Sequence, residues 1–118
     1  MEQENLQALF IVLENPELLP EILEIFLECE LRGATIIDSR GMAKVLSTRV
    51  PIFAGLQGLL KEHEQNKTIF TLSRRPDKID LVMKKISEKL CGFEEPCSGM
   101  MFVVPVVKAL GLGKKKGW

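Results

Sequence analysis

The sequence has few of the residues that build catalytic and metal sites. Its 118 residues include one histidine, three cysteines and no tyrosine. His63 stands in a polar stretch, so we expect a solvated side chain, with a Cys–His pair as the alternative. Cys91 and Cys97 are not part of a zinc motif, because a second pair of ligands is missing. The sequence therefore predicts no catalytic residues, no metal site and no enzyme.

The odd number of cysteines fits reduced thiols rather than a disulfide framework. Cys29 falls on the apolar arc of the first predicted helix and is expected in the core. Cys91 and Cys97 have two interpretations, either a redox-sensitive loop or two ordinary thiols that flank a turn.

An excess of charge of either sign is also missing. Sixteen basic residues balance 16 acidic ones, so no overall field attracts nucleic acid or a membrane surface. No apolar run reaches the roughly 18 residues of a membrane span. The acidic N-terminal residues do not resemble a signal peptide. We therefore expect a cytoplasmic protein with no nucleic-acid partner and no membrane span.

What the chain does contain is one pattern, written twice. An apolar run is followed by a turn with proline, an amphipathic helix and a second strand-like run. The first copy comprises Leu6–Glu14, a helix from about Pro16 to Leu31, and Ala34–Val45. The second comprises Ile69–Ser73, a helix from about Pro76 to Leu90, and Met100–Val107. Proline suits the first helical turn, where an N–H would have no partner within the helix.

This repeat predicts the fold class. Two strand–helix–strand units in one domain, residues 1–118, indicate an α+β protein of the ferredoxin-like type. We expect a βαββαβ order, an antiparallel sheet with two helices on one face, and a long loop between strands 2 and 3. Gly33 and Gly92 are the expected helix stops.

Two features predict self-association. Leu6–Leu13 and Met100–Val104 are apolar at nearly every position, so both faces of these strands should be covered, although the helices cover only one. The first helix has an apolar arc of about 200°, wider than one sheet needs. A second neighbour is implied for it, either the middle loop or another chain.

Three segments are candidates for function. Residues 46–66 are long for a connection between neighbouring strands, and such loops are often functional. Because Phe53, Leu56 and Leu60 are apolar, we expect 54–60 to form a short helix folded onto the body; the alternative is a purely structural flap. The Gly92–Gly99 turn has small residues that can present N–H groups to an anion.

The segment around Gly41 is the third candidate. Gly41 stands late in the second predicted strand, between Arg40 and Lys44, and marks either an anion site or a simple bulge. The basic residues of 108–118 are interpreted as a solvated tail, with a binding patch as the alternative.

Three motifs together resemble a known family. Leu31–Ile36 is similar to a Gly-x-Thr-Val entry to a second strand, Gly41–Ala43 occupies a Gly-Phe-Gly position, and Ser98–Val103 is similar to a Gly-Asp-Gly-Lys-Ile-Phe-Val segment. On these motifs the chain, from about Leu6 to Val107, resembles the nitrogen-regulatory PII signalling proteins, especially their divergent PII-like branch. Residues 46–66 are then the equivalent of that family's T-loop.

The resemblance implies a regulatory homotrimer that binds a small ligand in clefts between subunits and signals to a protein target through 46–66. The implied site residues are Thr35, Gly41, Met42, Ala43, Lys44, Ser98, Gly99 and Lys108. The family's B-loop Asp and Lys are replaced by Ser98 and Met100, and Lys108 stands alone where the family has an Arg-x-Arg. The absence of tyrosine excludes tyrosyl uridylylation of the loop.

These replacements predict the class of ligand. Each lost charge-assisted phosphate bond costs about 1.5–3 kcal/mol. Because two or more are lost, ATP affinity should fall by about a hundredfold or more. The sequence does not identify a cofactor. The candidate ligands are an AMP-like adenine nucleotide and weakly bound ATP. The alternative is a trimeric scaffold or metal-tolerance protein, similar to the CutA family in fold alone, without a nucleotide site.

Overall fold

The computed structural model describes residues 5–49, 66–89 and 99–112. They form a four-stranded antiparallel sheet in the order β2-β3-β1-β4. The strands are β1 (Gln7–Leu13), β2 (Thr35–Ser39), β3 (Asn66–Ser73) and β4 (Gly99–Pro105). The helices are α1 (Leu19–Glu28), α2 (Met42–Arg49) and α3 (Pro76–Lys89), and a 3₁₀ turn, Pro16–Leu18, precedes α1. The predicted α+β, ferredoxin-like class is confirmed.

Both prolines of the repeat begin a helical segment, as expected. Pro16 opens the 3₁₀ turn, where the Glu17 backbone N–H donates to the Asn15 side chain at 3.0 Å. Pro76 is the first residue of α3. At this position the fixed φ of proline is already helical, and its missing N–H breaks no hydrogen bond.

The first helix ends earlier than predicted, and without glycine. Glu30 takes the left-handed conformation, with φ 64°. The Leu31 N–H then donates to the Phe26 carbonyl at 2.9 Å, which closes the helix end. Gly33, the expected stop, lies beyond this turn and has negative φ. The expected stop at Gly92 lies outside the described residues.

The predicted strand Ala34–Val45 is wrong in its second half. The β2 strand ends at Ser39, and α2 starts at Met42. The Gly41 carbonyl accepts the first helical hydrogen bond, from the Val45 N–H at 3.2 Å. Met, Ala and Lys are good helix formers, whereas β2 is an edge strand whose extension would gain pairing on one side only. The 46–66 segment therefore begins inside a helix, and its last residue, Asn66, belongs to β3; the predicted 54–60 helix lies outside the described residues.

The core lies between one sheet face and two helices. Ile22, Ile25 and Phe26 of α1 and Ile79, Val82 and Ile86 of α3 pack on the odd-numbered residues of β1 and β3. Leu9, Ile11, Leu13 and Ile69 are each 0% exposed. At about 1.5–3 kcal/mol for each fully buried aliphatic side chain, this layer dominates the stability of the chain. Cys29 lies in it, as predicted.

The other sheet face carries apolar side chains without a helix over them. Cross-strand pairs place Phe10, Phe70 and Phe102 side by side on β1, β3 and β4. The Phe10 ring is 5.1 Å from the Phe102 ring and 5.6 Å from the Phe70 ring, measured between centroids. Ile37 of β2 and Met100 of β4 share this face and are 46% and 56% exposed. We refer to this surface, formed by the even-numbered residues of β1, β3 and β4, as the open face.

The outer part of the α1 arc is exposed as well. Leu27 is 68% exposed, so no described residue covers it. Within the described ranges, no helix combines the length and apolarity that a bilayer span requires.

Candidate functional site

The residues Gly41–Lys44 form the start of α2 instead of the end of a strand. Gly41 is the N-cap, and Met42, Ala43 and Lys44 make the first turn. N–H groups in the first turn of a helix have no acceptor within that helix, so they are available to an anion. Lys44 is half-buried and has an interaction of its own in the structure.

Edge strand β2 holds α2 at this corner of the sheet. The Ser39 and Thr68 hydroxyls hydrogen bond at 2.8 Å, and Lys67 forms an ion pair with Asp38. A Cβ on Gly41 would meet only the Asn66 amide nitrogen, at 3.8 Å, which is ordinary contact. Glycine is therefore not required at position 41 by lack of space.

Gly99 is the first residue of β4 and has φ 123°. This value lies in the region where glycine alone is unstrained, so the backbone needs glycine here. Gly99 pairs with Leu13, and Ser39 of β2 pairs with Asn66, one position beyond the Leu13–Lys67 pair. Gly99 and Gly41 thus share one end of the sheet, which we term the Gly99 end; three strand spacings separate them, about 14 Å. Ser98 lies outside the described residues.

The other two predicted site residues lie elsewhere. Thr35 is the first residue of edge strand β2; it pairs with Phe70, halfway along β3, and faces the open side. Lys108 follows β4, whose last residue, Pro105, pairs with Gln7 at the opposite end. Gly99 and Pro105 are six residue steps apart along the strand, about 20 Å. One copy of the chain therefore does not bring Lys108 to the Gly99 end.

The described residues contain no group of three or more His, Cys, Asp or Glu side chains placed to hold a metal ion. Burial raises the pKa of the Cys29 thiol, an effect that Lys85 partly offsets. This thiol is a weak nucleophile because little of it is ionised at neutral pH. Cys91, Cys97 and His63 lie outside the described residues.

Sequence reasoning missed one polar cluster, at the end of β3. The Arg75 guanidinium donates two hydrogen bonds to the Asp77 carboxylate, at 3.0 and 2.8 Å, and these bonds hold the pKa of Asp77 below its ordinary value of 3.8. The Arg75 N–H also donates to the Ser73 hydroxyl, at 3.0 Å. Arg74, between them, has a buried Nε without a hydrogen-bond acceptor among the described residues. The Arg-Arg-Pro-Asp run was the available clue, since Pro and Asp are typical of a helix start.

Comparison with known proteins supports the fold. No protein-family model matches the sequence, and no curated protein matches it significantly. Among solved structures, the chain is similar to the crystal structure of Arabidopsis thaliana PII bound to citrate, with a TM-score of 0.61 and 17% sequence identity. The match covers 87% of this chain and 78% of the PII chain. At this identity the likeness shows a PII-like fold.

Proposed function

We propose that this chain is a PII-like regulatory protein that assembles as a homotrimer and senses a small ligand between subunits. One subunit contributes the first turn of α2, Gly41–Lys44, together with Ser98 and Gly99. Neighbouring subunits contribute Thr35 and Lys108, which lie too far apart within one copy for one small ligand to contact both. The protein acts in the cytoplasm, on a protein target, and not as an enzyme.

The observation that carries this proposal is the separation of the site residues within one chain. Gly99 begins β4 and Lys108 follows its other end, about 20 Å away, which is more than one mononucleotide spans. A ligand that contacts both groups needs two copies. The open face supplies a reason for the copies to meet, because Phe102 and Met100 remain 41% and 56% exposed in the single chain and large exposed apolar patches mark interaction surfaces.

The position of α2 suggests how ligand binding reaches the 46–66 segment. The proposed anion-binding N–H groups belong to the first turn of α2, and the last turn of the same helix, up to Arg49, leads into residues 50–65. A helix of eight residues is a rigid rod about 12 Å long. A ligand that tightens the first turn therefore shifts the start of the segment proposed to contact the target.

The ligand carries little charge. In the described part of the site the cations are Lys44 and Lys108. We therefore expect an AMP-like group or a small anion in preference to ATP. The PII structure similar to this chain is bound to citrate, which makes a carboxylate ligand a second candidate for the same cleft.

Calorimetric titration tests the proposal. AMP should bind with higher affinity than ATP, and Gly99→Asp should abolish binding, because it adds a carboxylate and forces a side chain onto a backbone with φ 123°. Gly33→Asp is the matched control, since no atom lies within 4 Å of its Cβ position. Submicromolar ATP binding that survives Lys108→Ala and Lys44→Ala contradicts the ligand class. No binding of any adenine nucleotide by a stable trimer favours the scaffold alternative.

A further inference from the structure

Arg74 differs from the other partly buried cations. The described part of the chain holds five of them, Lys44, Lys67, Arg74, Lys78 and Lys85. Lys67, Lys78 and Lys85 pair with carboxylates, and Lys44 interacts with a neighbour of its own. Arg74 makes no ion pair with any described residue, and its Nε is shut off from solvent without an acceptor. Buried N–H groups in folded proteins are nearly always paired, so this one requires an explanation.

The neighbouring arginine shows what the vacant edge of Arg74 can bind. Arg75 holds Asp77 through its Nε and one terminal nitrogen, at 3.0 and 2.8 Å. This fork matches the two oxygens of a carboxylate. On Arg74 the corresponding edge has no such partner at Nε. A carboxylate that reached it would replace an unfavourable buried donor with a charge-assisted hydrogen bond.

A second cation, Lys108, follows a strand at the same end of the sheet as Arg74. Ser73, the last residue of β3, is 0% exposed and belongs to the helix-covered face. Arg74 follows Ser73 directly, in the bend before α3, at the end of the sheet opposite the Gly99 end; we term this the Pro105 end, because Ser73 and Pro105 both pair with Gln7. At the Pro105 end the Val106 N–H donates to the Leu6 carbonyl at 3.0 Å, and Lys108 follows. Two cations thus follow strands that end here, Arg74 after β3 and Lys108 after β4.

We propose that Arg74 is a carboxylate-binding residue at the Pro105 end of the sheet. The carboxylate belongs either to a small polycarboxylate or to an acidic side chain of a second copy of this chain. To bind the carboxylate, the Arg74 side chain turns so that Nε and one terminal nitrogen donate to its two oxygens, as Arg75 does to Asp77. This inference goes beyond the proposed function, because it requires neither a nucleotide nor the Gly99 end of the sheet.

The test compares Arg74→Lys and Arg74→Gln with Arg75→Lys, a neighbouring control of the same type. Citrate is the probe, titrated calorimetrically against the full chain, with sodium chloride of equal ionic strength as reference. If the carboxylate belongs to a small molecule, both Arg74 variants should weaken citrate binding about tenfold or more. Glutamine removes the charge, and lysine keeps the charge but lacks the forked pair of N–H donors. Arg75→Lys should change it less than about twofold, because Arg75 is occupied by Asp77.

The second source gives a different result. If the carboxylate is a side chain of another copy, the Arg74 variants should dissociate at concentrations where the unsubstituted protein and Arg75→Lys remain assembled. Citrate should then change the assembly of none of these proteins. Light scattering distinguishes this outcome from the first, and both support the inference.

An NMR measurement covers the case in which a variant fails to fold. The Arg74 Nε–H resonance is assigned by through-bond experiments, or as the arginine resonance that is missing from Arg74→Lys. In the unsubstituted protein it should shift when citrate is added or when the copies assemble. Citrate affinity and assembly like those of the unsubstituted protein in both Arg74 variants, or an unmoved resonance, would overturn the inference. Citrate binding that is lost in Gly99→Asp but kept in both Arg74 variants belongs to the cleft of the proposed function and overturns this inference, whereas AMP binding tests the proposed function separately.

Discussion

Phe102→Glu should dissociate the protein while leaving each chain folded. Phe102 lies on the open face and stays 41% exposed in the single chain. Its ring stacks on the Phe10 ring of the same chain, with 5.1 Å between the centroids. The proposed trimer buries this exposed part. The substitution therefore acts mainly on the contact between copies.

The size of the effect follows from area. An aromatic side chain has about 150–250 Å² to bury, so the exposed 41% is about 60–100 Å². At about 25 cal/mol per Å² this is about 1.5–2.5 kcal/mol for each copy. Three copies lose about 4.5–7.5 kcal/mol, which raises the dissociation constant by about three orders of magnitude or more. Desolvation of the new carboxylate adds to this cost.

The assay is light scattering at micromolar concentration. The unsubstituted protein should show about 40 kDa, three copies of 13.3 kDa, and Phe102→Glu should show a monomer with unchanged far-UV circular dichroism. Leu81→Glu is the matched control, because Leu81 has almost the same exposure, 43%, but lies on α3 on the other side of the sheet. If Phe102→Glu keeps the mass of the unsubstituted protein, or if the unsubstituted protein is itself a monomer, the role given to the open face is refuted.

Three further predictions concern stability. Glu30→Gly should stabilise the chain by about 1 kcal/mol, because Glu30 holds φ 64° at the end of α1; thermal unfolding should shift upward, and a lower midpoint would contradict this. Gly99→Ala should destabilise it by about 1–3 kcal/mol because of its φ of 123°, whereas Gly33→Ala, with no atom within 4 Å of the added Cβ, should change little in a denaturant titration. Asp77→Asn should unfold more easily than the unsubstituted protein at neutral pH, because the pKa of Asp77 is lowered by its bonds to Arg75. This stabilisation is present above pH 3.8 and disappears as the pH falls through the lowered pKa. A difference in unfolding free energy between the two proteins that stays constant down to acid pH would exclude it.

The repeat in the sequence was sufficient for the sheet and its two packed helices. Period and proline placement locate β1, β3, α3 and β4 to within a few residues, because a strand or helix that buries one face must show it in its apolar pattern. Edge strand β2 was less visible. All but one of its residues are exposed, so its apolar pattern records little burial, and the change from strand to helix after Ser39 had no periodic signature.

The end of α1 was mislocated for a different reason. The pattern pointed to Gly33, whereas Glu30 takes the left-handed turn. A residue with a Cβ is held there because Leu31, 3% exposed, is drawn into the core directly after it. Tertiary packing decided this helix end, and no local glycine signal could have shown it.

The candidate site was predictable in composition but not in arrangement. Gly41 and Gly99 could be identified from their neighbours in the sequence, and Gly99 does have a φ that requires glycine. That Lys108 lies about 20 Å away follows only from the strand register. The Arg-Arg-Pro-Asp run pointed to a polar cluster, but the unpaired Nε of Arg74 could not be predicted, because it depends on what surrounds the side chain in three dimensions.

A mixed-oligomer experiment tests most directly whether the site is shared between copies. Gly41→Asp places a carboxylate at the N-terminus of α2, where aspartate is a good cap and meets only Asn66 at 3.8 Å. Lys108→Glu reverses an exposed charge at the other end of the sheet. Each variant alone should bind AMP weakly or not at all.

The two variants are then unfolded together, refolded as an equal mixture and titrated with AMP. Each cleft draws its two halves from different copies in a ring, so about a quarter of the clefts should be intact on both sides and bind with the affinity of the unsubstituted protein. A mixture that binds no more AMP than its two components measured separately would contradict a site shared between subunits.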